Sequence, residues 1–252
     1  MPKMNLKRSI FIDAKPEEIY SKLIDFHSWS AWSPWLIMEK DVKVDVATDG
    51  KFYSWEGKRV GAGNMKVVSE DQYKSLEMDL NFLKPWKSYA KVGFDIVPNG
   101  SGADVSWSMD SSLPFFMFWM KKMMTAFIAM DYERGLRMLR DYVEDGKVHS
   151  ELEFKGNSTY EGCKYVGIKS DCSIDNMEQD MSSKMLKLMS FVKENKVATK
   201  EEVLTIYHKW DMVNRKASYT AAIPVNTVPA NLSGELFVGE IPKTTIHTIG
   251  HK

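Results

Sequence analysis

The sequence predicts an α+β protein in two parts: an antiparallel sheet covered by one long helix, then a smaller part of strand–helix–strand–strand order. Three observations predict it. Apolar residues alternate with polar ones in run after run between residues 43 and 109, as half-buried antiparallel strands require. A long apolar run that turns amphipathic, over roughly 113–144, reads as a single helix. A polar, aperiodic segment at 145–159 then separates this set from further strands and one more helix. The expected division is therefore 1–147, a linker at 148–159, and 160–252.

In chain order, NLKRSIFI (5–12) opens as a strand. Pro16 followed by Glu17 and Glu18 marks a helix start, with Ile19, Leu23 and Ile24 on its apolar face. Trp29, Trp32 and Trp35 cluster around Pro34. The runs VKVDV, KFYSWEG, GNMKVVS, SLEMDLNF, YAKVGFDIV and ADVSWSM follow as strands, separated by the turn signals TDG, PNG and SGA. Alternation puts Leu76, Met78, Leu80 and Phe82 on one face and Glu77, Asp79 and Asn81 on the other. Tyr53 with Trp55, the set Ala90, Val92, Phe94 and Ile96, and the set Val105, Trp107 and Met109 face inward in the same way. Such a sheet has one wet face, and the long helix is the cover for the dry one.

That helix begins with LPFFMFWMKKMMTAFIAM (113–130), apolar nearly all round. A membrane span needs about 20 apolar residues, and Lys121 and Lys122 in mid-run would each cost about 2.5–3.5 kcal/mol at a bilayer centre. Beyond Met130, the charges Asp131, Glu133, Arg134, Arg137 and Arg140 oppose Leu136, Leu139 and Val143. The reading is a soluble helix capped by Ser111 or Ser112, with Pro114 in its first turn and no transmembrane segment. Its Met, Phe and Trp content suits an adaptable surface. Phe115, Phe116, Phe118, Trp119, Met120, Met123, Met124 and Phe127 are candidates for the wall or lid of an apolar cavity. Plain core packing is one competing reading. A partner or membrane surface, with Lys121 and Lys122 on headgroups, is another. Trp32 and Trp35 either line the cavity mouth or pin their segment to the sheet. Tyr53, Trp55, Met78, Leu80, Phe94 and Trp107 point inward, toward core or cavity.

In the second part KYVGIKSD reads as a strand, and Asp175 with Glu178 as a capping box. The helix it opens carries Met177, Met181, Met185, Leu188, Met189 and Val192 on one face. EVLTIYHKWD and KASYTAAIPVN are two more strands, and GELFVGE with KTTIHTIG a last strand pair.

Composition excludes several function classes. Lys and Arg total 34 against 34 Asp and Glu, with no basic block, so no nucleic-acid partner is expected. Cys163 and Cys172 are the only cysteines and build neither a zinc site nor a disulfide framework. With no signal-like N-terminus, the expected location is cytoplasmic. His27, His149, His208, His247 and His251 show no metal-ligand spacing, so neither metal nor cofactor is expected. Glu77 and Asp79 alternate outward, Glu56 lies opposite Tyr53 and Trp55, and no G-x-S-x-G, P-loop or dinucleotide fingerprint occurs. No catalytic residue is assigned, and nothing in the sequence requires an enzyme.

Several motifs in order, IFIDAKPEEIY, DFHSWSAWSPW, YSWEG, VSWSM and MDYERGLRML, resemble the SRPBCC superfamily over about residues 4–145. That group includes START-like lipid-binding domains and polyketide cyclase-like proteins. The resemblance implies a helix-grip fold, with a curved antiparallel sheet around a long C-terminal helix and an apolar cavity between them. It carries no universal catalytic residue. YVGI (165–168), TIYHKWD (205–211), YTAAIPV (219–225) and GEIPKTTIHTIGHK (239–252) resemble the GyrI-like, or transcription-activator effector-binding, domain. Two strand–helix–strand–strand units with a groove for drug-like molecules are implied, with Tyr207 and Trp210 as ligand-binding candidates. The sequence stops at Lys252, where a Gly-x-Tyr turn, a helix and two strands of the second unit would follow. The family's acidic residue for cationic ligands lies in that stretch, so cation binding is not carried over. An incomplete unit leaves an open sheet edge and an uncovered helix face, which predicts either homo-oligomers through 160–252 or poor order there.

The resulting expectation is a binder or sensor that holds a hydrophobic or amphipathic small molecule between sheet and helix. No helix-turn-helix accompanies the effector-like part. A cyclase- or hydrolase-like enzyme using the same cavity is the alternative. A buried polar group with a perturbed pKa facing the cavity would favour it. The third reading is an interaction module that recruits a protein or membrane surface through the Met- and Phe-rich helix.

Overall fold

The computed structural model describes residues 3–39, 41–112, 115–199, 203–232 and 234–251, with the backbone alone at 115–117. The chain divides into two compact units, Met1–Glu153 with Gly250–Lys252, and Phe154–Ile249.

The first unit contains β1 (Lys3–Ile12), α1 (Pro16–Ile24), β2 (Lys43–Val46), β3 (Phe52–Glu56), β4 (Ala62–Asp71), β5 (Ser75–Lys84), β6 (Ser88–Asn99), β7 (Gly102–Ser112) and α2 (Lys121–Asp145). The seven strands form one sheet in the order β1-β7-β6-β5-β4-β3-β2, and every neighbouring pair is antiparallel. Mostly antiparallel sheet with a long covering helix is consistent with a helix grip. Period-two alternation places the core as expected: Leu76, Met78 and Leu80 of β5, Ala90 to Ile96 at every second residue of β6, and Val105, Trp107 and Met109 of β7 are buried. Register shifts at Ala62/Gly63 and Val67/Ser69 interrupt the β4–β5 ladder, and bulges of this kind bend a sheet.

Helix α2 packs on β1 and β7. Gly135 makes the approach possible: a Cβ there would stand 2.7 Å from the Trp107 ring and 3.0 Å from Pro34. Tyr132, one turn earlier, stacks on Trp107 with centroids 4.2 Å apart, and Phe94 stacks on it at 4.8 Å. The helix ends at Gly146, whose left-handed φ of 72° lets its N–H reach the Tyr142 carbonyl.

The start of this helix differs from expectation. Ser111 and Ser112 finish strand β7 and so do not cap it, and Leu113 and Pro114 lie outside the described residues. Phe115–Met120 is a 3-10 helix, and α2 begins only at Lys121 without a side-chain cap. A tight i→i+3 turn often leads into an α-helix, and an apolar run offers no oxygen to cap one directly.

The second unit holds most of β8 (Leu152–Tyr160) with β9 (Cys163–Ser173), α3 (Met177–Glu194), β10 (Leu204–Asp211), β11 (Lys216–Val225), β12 (Leu236–Ile241) and β13 (Thr244–His251). A four-stranded sheet runs β10-β11-β9-β12, so β10 and β12 are its edges, and β8 pairs with β13 separately. GELFVGE and KTTIHTIG are therefore not partners of each other: β12 adds to β9 and β13 to β8. Residues 152–159 of the segment read as a linker belong to strand β8. A two-stranded ribbon exposed over most of its surface needs little apolar alternation, which is why its pattern was faint.

No capping box forms at Asp175 and Glu178. Ser173 caps the short 3-10 turn Ile174–Asn176 instead, and the Asp175 carboxylate is held by Arg215. Leu188 is the fully buried residue of α3, Met177, Met181 and Met185 pack beside it, and Met189 is exposed, off the packed face. Asp180 fixes the helix to the sheet by accepting hydrogen bonds of 2.6 Å from both Ser170 and the Tyr219 hydroxyl.

Candidate functional site

A cavity of about 290 Å³ lies between the sheet of the first unit and α2. Pockets for small ligands run from about 300 to 1,000 Å³, so it suits a small molecule or the apolar end of a larger one. The sheet supplies Met4, Tyr53, Trp55, Met65, Leu80, Phe82 and Met109. Met124, Ile128 and Tyr132 of α2 close the opposite side, four residues apart and so on one helix face. Ser33, Trp35, Leu36 and Val60 complete the wall from the loops. The lining residues exposed to solvent are Lys84, Pro85 and Trp86 in the β5–β6 turn, next to half-buried Ser88, Ser111, Ser112 and Met124. These mark the mouth.

Trp55 is held firmly in this wall. Its partner across β4 is Gly63, where any Cβ would collide with the indole ring, and its N–H donates to the Val60 carbonyl at 3.3 Å. The loop carrying Val60 is clasped in turn by Glu39, whose carboxylate accepts backbone N–H bonds from Lys58, Arg59 and Val60 at 2.7, 2.9 and 3.1 Å. Those bonds, Arg59's foremost, hold the Glu39 carboxyl below its ordinary pKa.

The wall is apolar apart from a few groups, and two of these matter. Tyr53 and Tyr132 are 5% and 1% exposed and line the cavity. Neither hydroxyl has a hydrogen-bond partner among the described residues, and neither is among the fully enclosed unpartnered atoms, which are the indole nitrogens of Trp32 and Trp107. Burial pushes both phenols well above their ordinary pKa, and for Tyr132 the nearby Tyr53 adds to the shift. Both are neutral at physiological pH and offer O–H donors to whatever fills the space.

Next to Tyr132 on α2, Asp131 lies close enough to the indole of the cavity-lining Trp35 for its N–H to favour the charged carboxylate. Burial raises the Asp131 pKa, and the Trp35 N–H and the Arg134 charge only partly oppose it. A carboxyl whose folded-state pKa lies above its unfolded value favours the fold most at low pH, and that contribution is lost as pH rises through the folded value. Asp131→Asn keeps the shape and a side-chain oxygen facing the indole while removing the charge. Thermal melts of the variant are expected to show a higher Tm than the parent at neutral pH, and the gap is expected to close below the carboxylate range. A lower Tm at neutral pH would show that the charge is needed there.

The residues expected to form a site from sequence fall into separate places. Trp35, Tyr53, Trp55 and Leu80 meet in the cavity wall. Trp32, Met78, Phe94 and Trp107 are enclosed in the core and do not line it. Trp119, Met123 and Phe127 are exposed and absent from the wall, and the side chain of Phe115 lies outside the described residues. Tyr207 and Trp210 stand exposed on β10 of the second unit, edge to face at 5.5 Å. The tryptophan cluster divides: Trp29 and Trp32 are buried and pin their segment to the core, while Trp35 reaches the cavity. Sequence reasoning missed Met4, Leu36, Val60, Met65, Ile128 and Tyr132 among the apolar and aromatic lining residues. The spacing 124/128/132 was the available signal, hidden because Tyr132 stands among charged residues.

Among the described residues, no helix is long and apolar enough to cross a membrane. Among the same residues, no group of three or more His, Cys, Asp or Glu side chains is placed to hold a metal ion.

No curated protein matches the chain. Its fold is similar to that of protein CV1439 from Chromobacterium violaceum, at 15% identity and a TM-score of 0.43 over 56% of this chain and 98% of that one. The Aha1 dimer from Colwellia psychrerythraea is 20% identical, with a TM-score of 0.42 over 58% of this chain and 99% of that one. The di-domain ARO/CYC StfQ from the steffimycin biosynthetic pathway is 9% identical, with a TM-score of 0.46 over 57% of this chain and 51% of that one. The family model for polyketide cyclase / dehydrase and lipid transport matches residues 3–144, more than half of the chain. The chain belongs to the polyketide cyclase / dehydrase and lipid transport family.

Proposed function

We propose that the first unit binds a hydrophobic or amphipathic small molecule in the cavity between sheet and helix, as a binder or sensor. The observation that carries this reading is the apolar cavity lined by two buried tyrosines whose hydroxyls lack a protein partner among the described residues. The hydroxyls border the open space and not closed protein, so their hydrogen bonds go to whatever fills the cavity. Because the hydroxyls are neutral donors inside an apolar wall, the ligand presents an uncharged acceptor, such as a carbonyl or ether oxygen, to Tyr53 and Tyr132. A charged group at that depth would lack a counter-charge. The test is a titration of the full chain with the apolar fluorophore 1-N-phenylnaphthylamine. Saturable binding of one molecule per chain is expected, and fluorescence that rises without saturation would overturn the reading.

A second reading, catalysis of the cyclase kind, has one observation in its favour. Tyr53 and Tyr132 are buried cavity groups with raised pKa values, suited to donating a hydrogen bond to a substrate carbonyl as negative charge develops there. For residues 160–252 the effector-binding resemblance rests on the motif residues, with the order strand, helix, strand, strand (β9, α3, β10, β11) in its support.

A further inference from the structure

The two turns of α2 that give Met124 and Ile128 to the cavity carry a second, unrelated face. Met123, Phe127 and Met130 lie along its outer side and are exposed, continuing from Trp119, which is 69% exposed. On the facing side of the mouth, the β5–β6 turn exposes the lining residue Trp86 at 42%. Large apolar side chains therefore stand out on both lips of the opening. Contiguous exposure of this kind marks an interaction surface.

Within the two segments that form the lips, the charges are one-sided. No Asp or Glu occurs in residues 80–94 or 113–130, although the whole chain is balanced at zero net charge. Lys84 is paired with Glu56 at 2.7 Å. Lys87, Lys121 and Lys122 are exposed and have no ion-pair partner among the described residues. Tryptophan and lysine together at the end of an apolar stripe are what a lipid–water interface selects: the indole sits at headgroup depth and the ammonium meets anionic lipid.

We propose that the mouth of the cavity, formed by residues 119–130 and the β5–β6 turn, docks on an anionic lipid bilayer. The apolar lips enter the headgroup boundary, Lys87, Lys121 and Lys122 meet the negative surface, and the opening faces the membrane. The docked geometry gives an amphipathic ligand a path between bilayer and cavity without crossing water. Docking itself does not depend on the cavity being filled, so it goes beyond the binding function proposed above.

The test is co-sedimentation of the full chain with phosphatidylcholine vesicles, with and without phosphatidylglycerol, in low and high salt. Binding is expected only with the anionic lipid and weaker in high salt. Lys121→Gln/Lys122→Gln is expected to lower the partition coefficient by about ten- to thirtyfold. Trp119→Ser/Phe127→Ser is expected to abolish sedimentation. These residues do not line the cavity, so both variants should keep the parent's Tm and its fluorophore titration, which separates loss of docking from loss of fold. No binding to anionic vesicles, or binding that neither variant weakens, would overturn the proposal. Dimerisation that Trp119→Ser/Phe127→Ser abolishes, without vesicle binding, would also overturn it and assign the patch to a second copy of the chain.

Discussion

Trp107→Ala is expected to destabilise the first unit by about 3–5 kcal/mol, the range for removing a large aromatic side chain from a packed core. Trp107 is 1% exposed and lies in a stack between Phe94 of β6 and Tyr132 of α2. It is also within aromatic reach of Trp29, Trp32 and Trp35. Few single changes would leave so many groups facing a void. Trp107→Phe should be much milder, because the indole N–H has no partner to lose and a ring remains for the stack. Chemical denaturation followed by tryptophan fluorescence measures both. Equal losses for the two variants would mean that the full bicyclic indole is needed here and that a single ring in the stack does not suffice.

The second large effect concerns the cavity. Leu80→Trp puts a bulky ring into empty space, so fluorophore affinity is expected to fall at least tenfold while Tm changes little. Met78→Trp is the contrast, two residues away on the same face of β5. Met78 is fully buried and does not line this cavity, so overpacking there is expected to destabilise by about 1–3 kcal/mol or more. If Leu80→Trp were as disruptive as Met78→Trp, the space at Leu80 would not be open in solution.

Much of the first unit was legible because each strand carries its own signal. Alternation in SLEMDLNF and ADVSWSM names the buried face directly, and a half-buried antiparallel sheet leaves no other choice. The cavity was legible only in part. Alternation says that Leu80 and Met78 share a face, but not that Leu80 meets open space while Met78 is packed. That difference is set by where α2 crosses the sheet, which depends on Gly135 fitting against Trp107 and Pro34. The aromatic helix misled for a related reason. A helix apolar all round has no sequence signal for which side faces inward, so Trp119 and Phe127 were expected beside Met124 in the wall. In the second unit, β12 and β13 look like a local hairpin, and their true partners β9 and β8 lie far away in sequence, where no local pattern points.

Native mass spectrometry of the full chain with 1-N-phenylnaphthylamine, run beside Leu80→Trp, tests the central claim most directly. A single bound fluorophore on the parent chain, lost on denaturation and absent from the variant, is the predicted result. The same adduct on both proteins would place the molecule elsewhere and contradict the assignment of this cavity as the binding site.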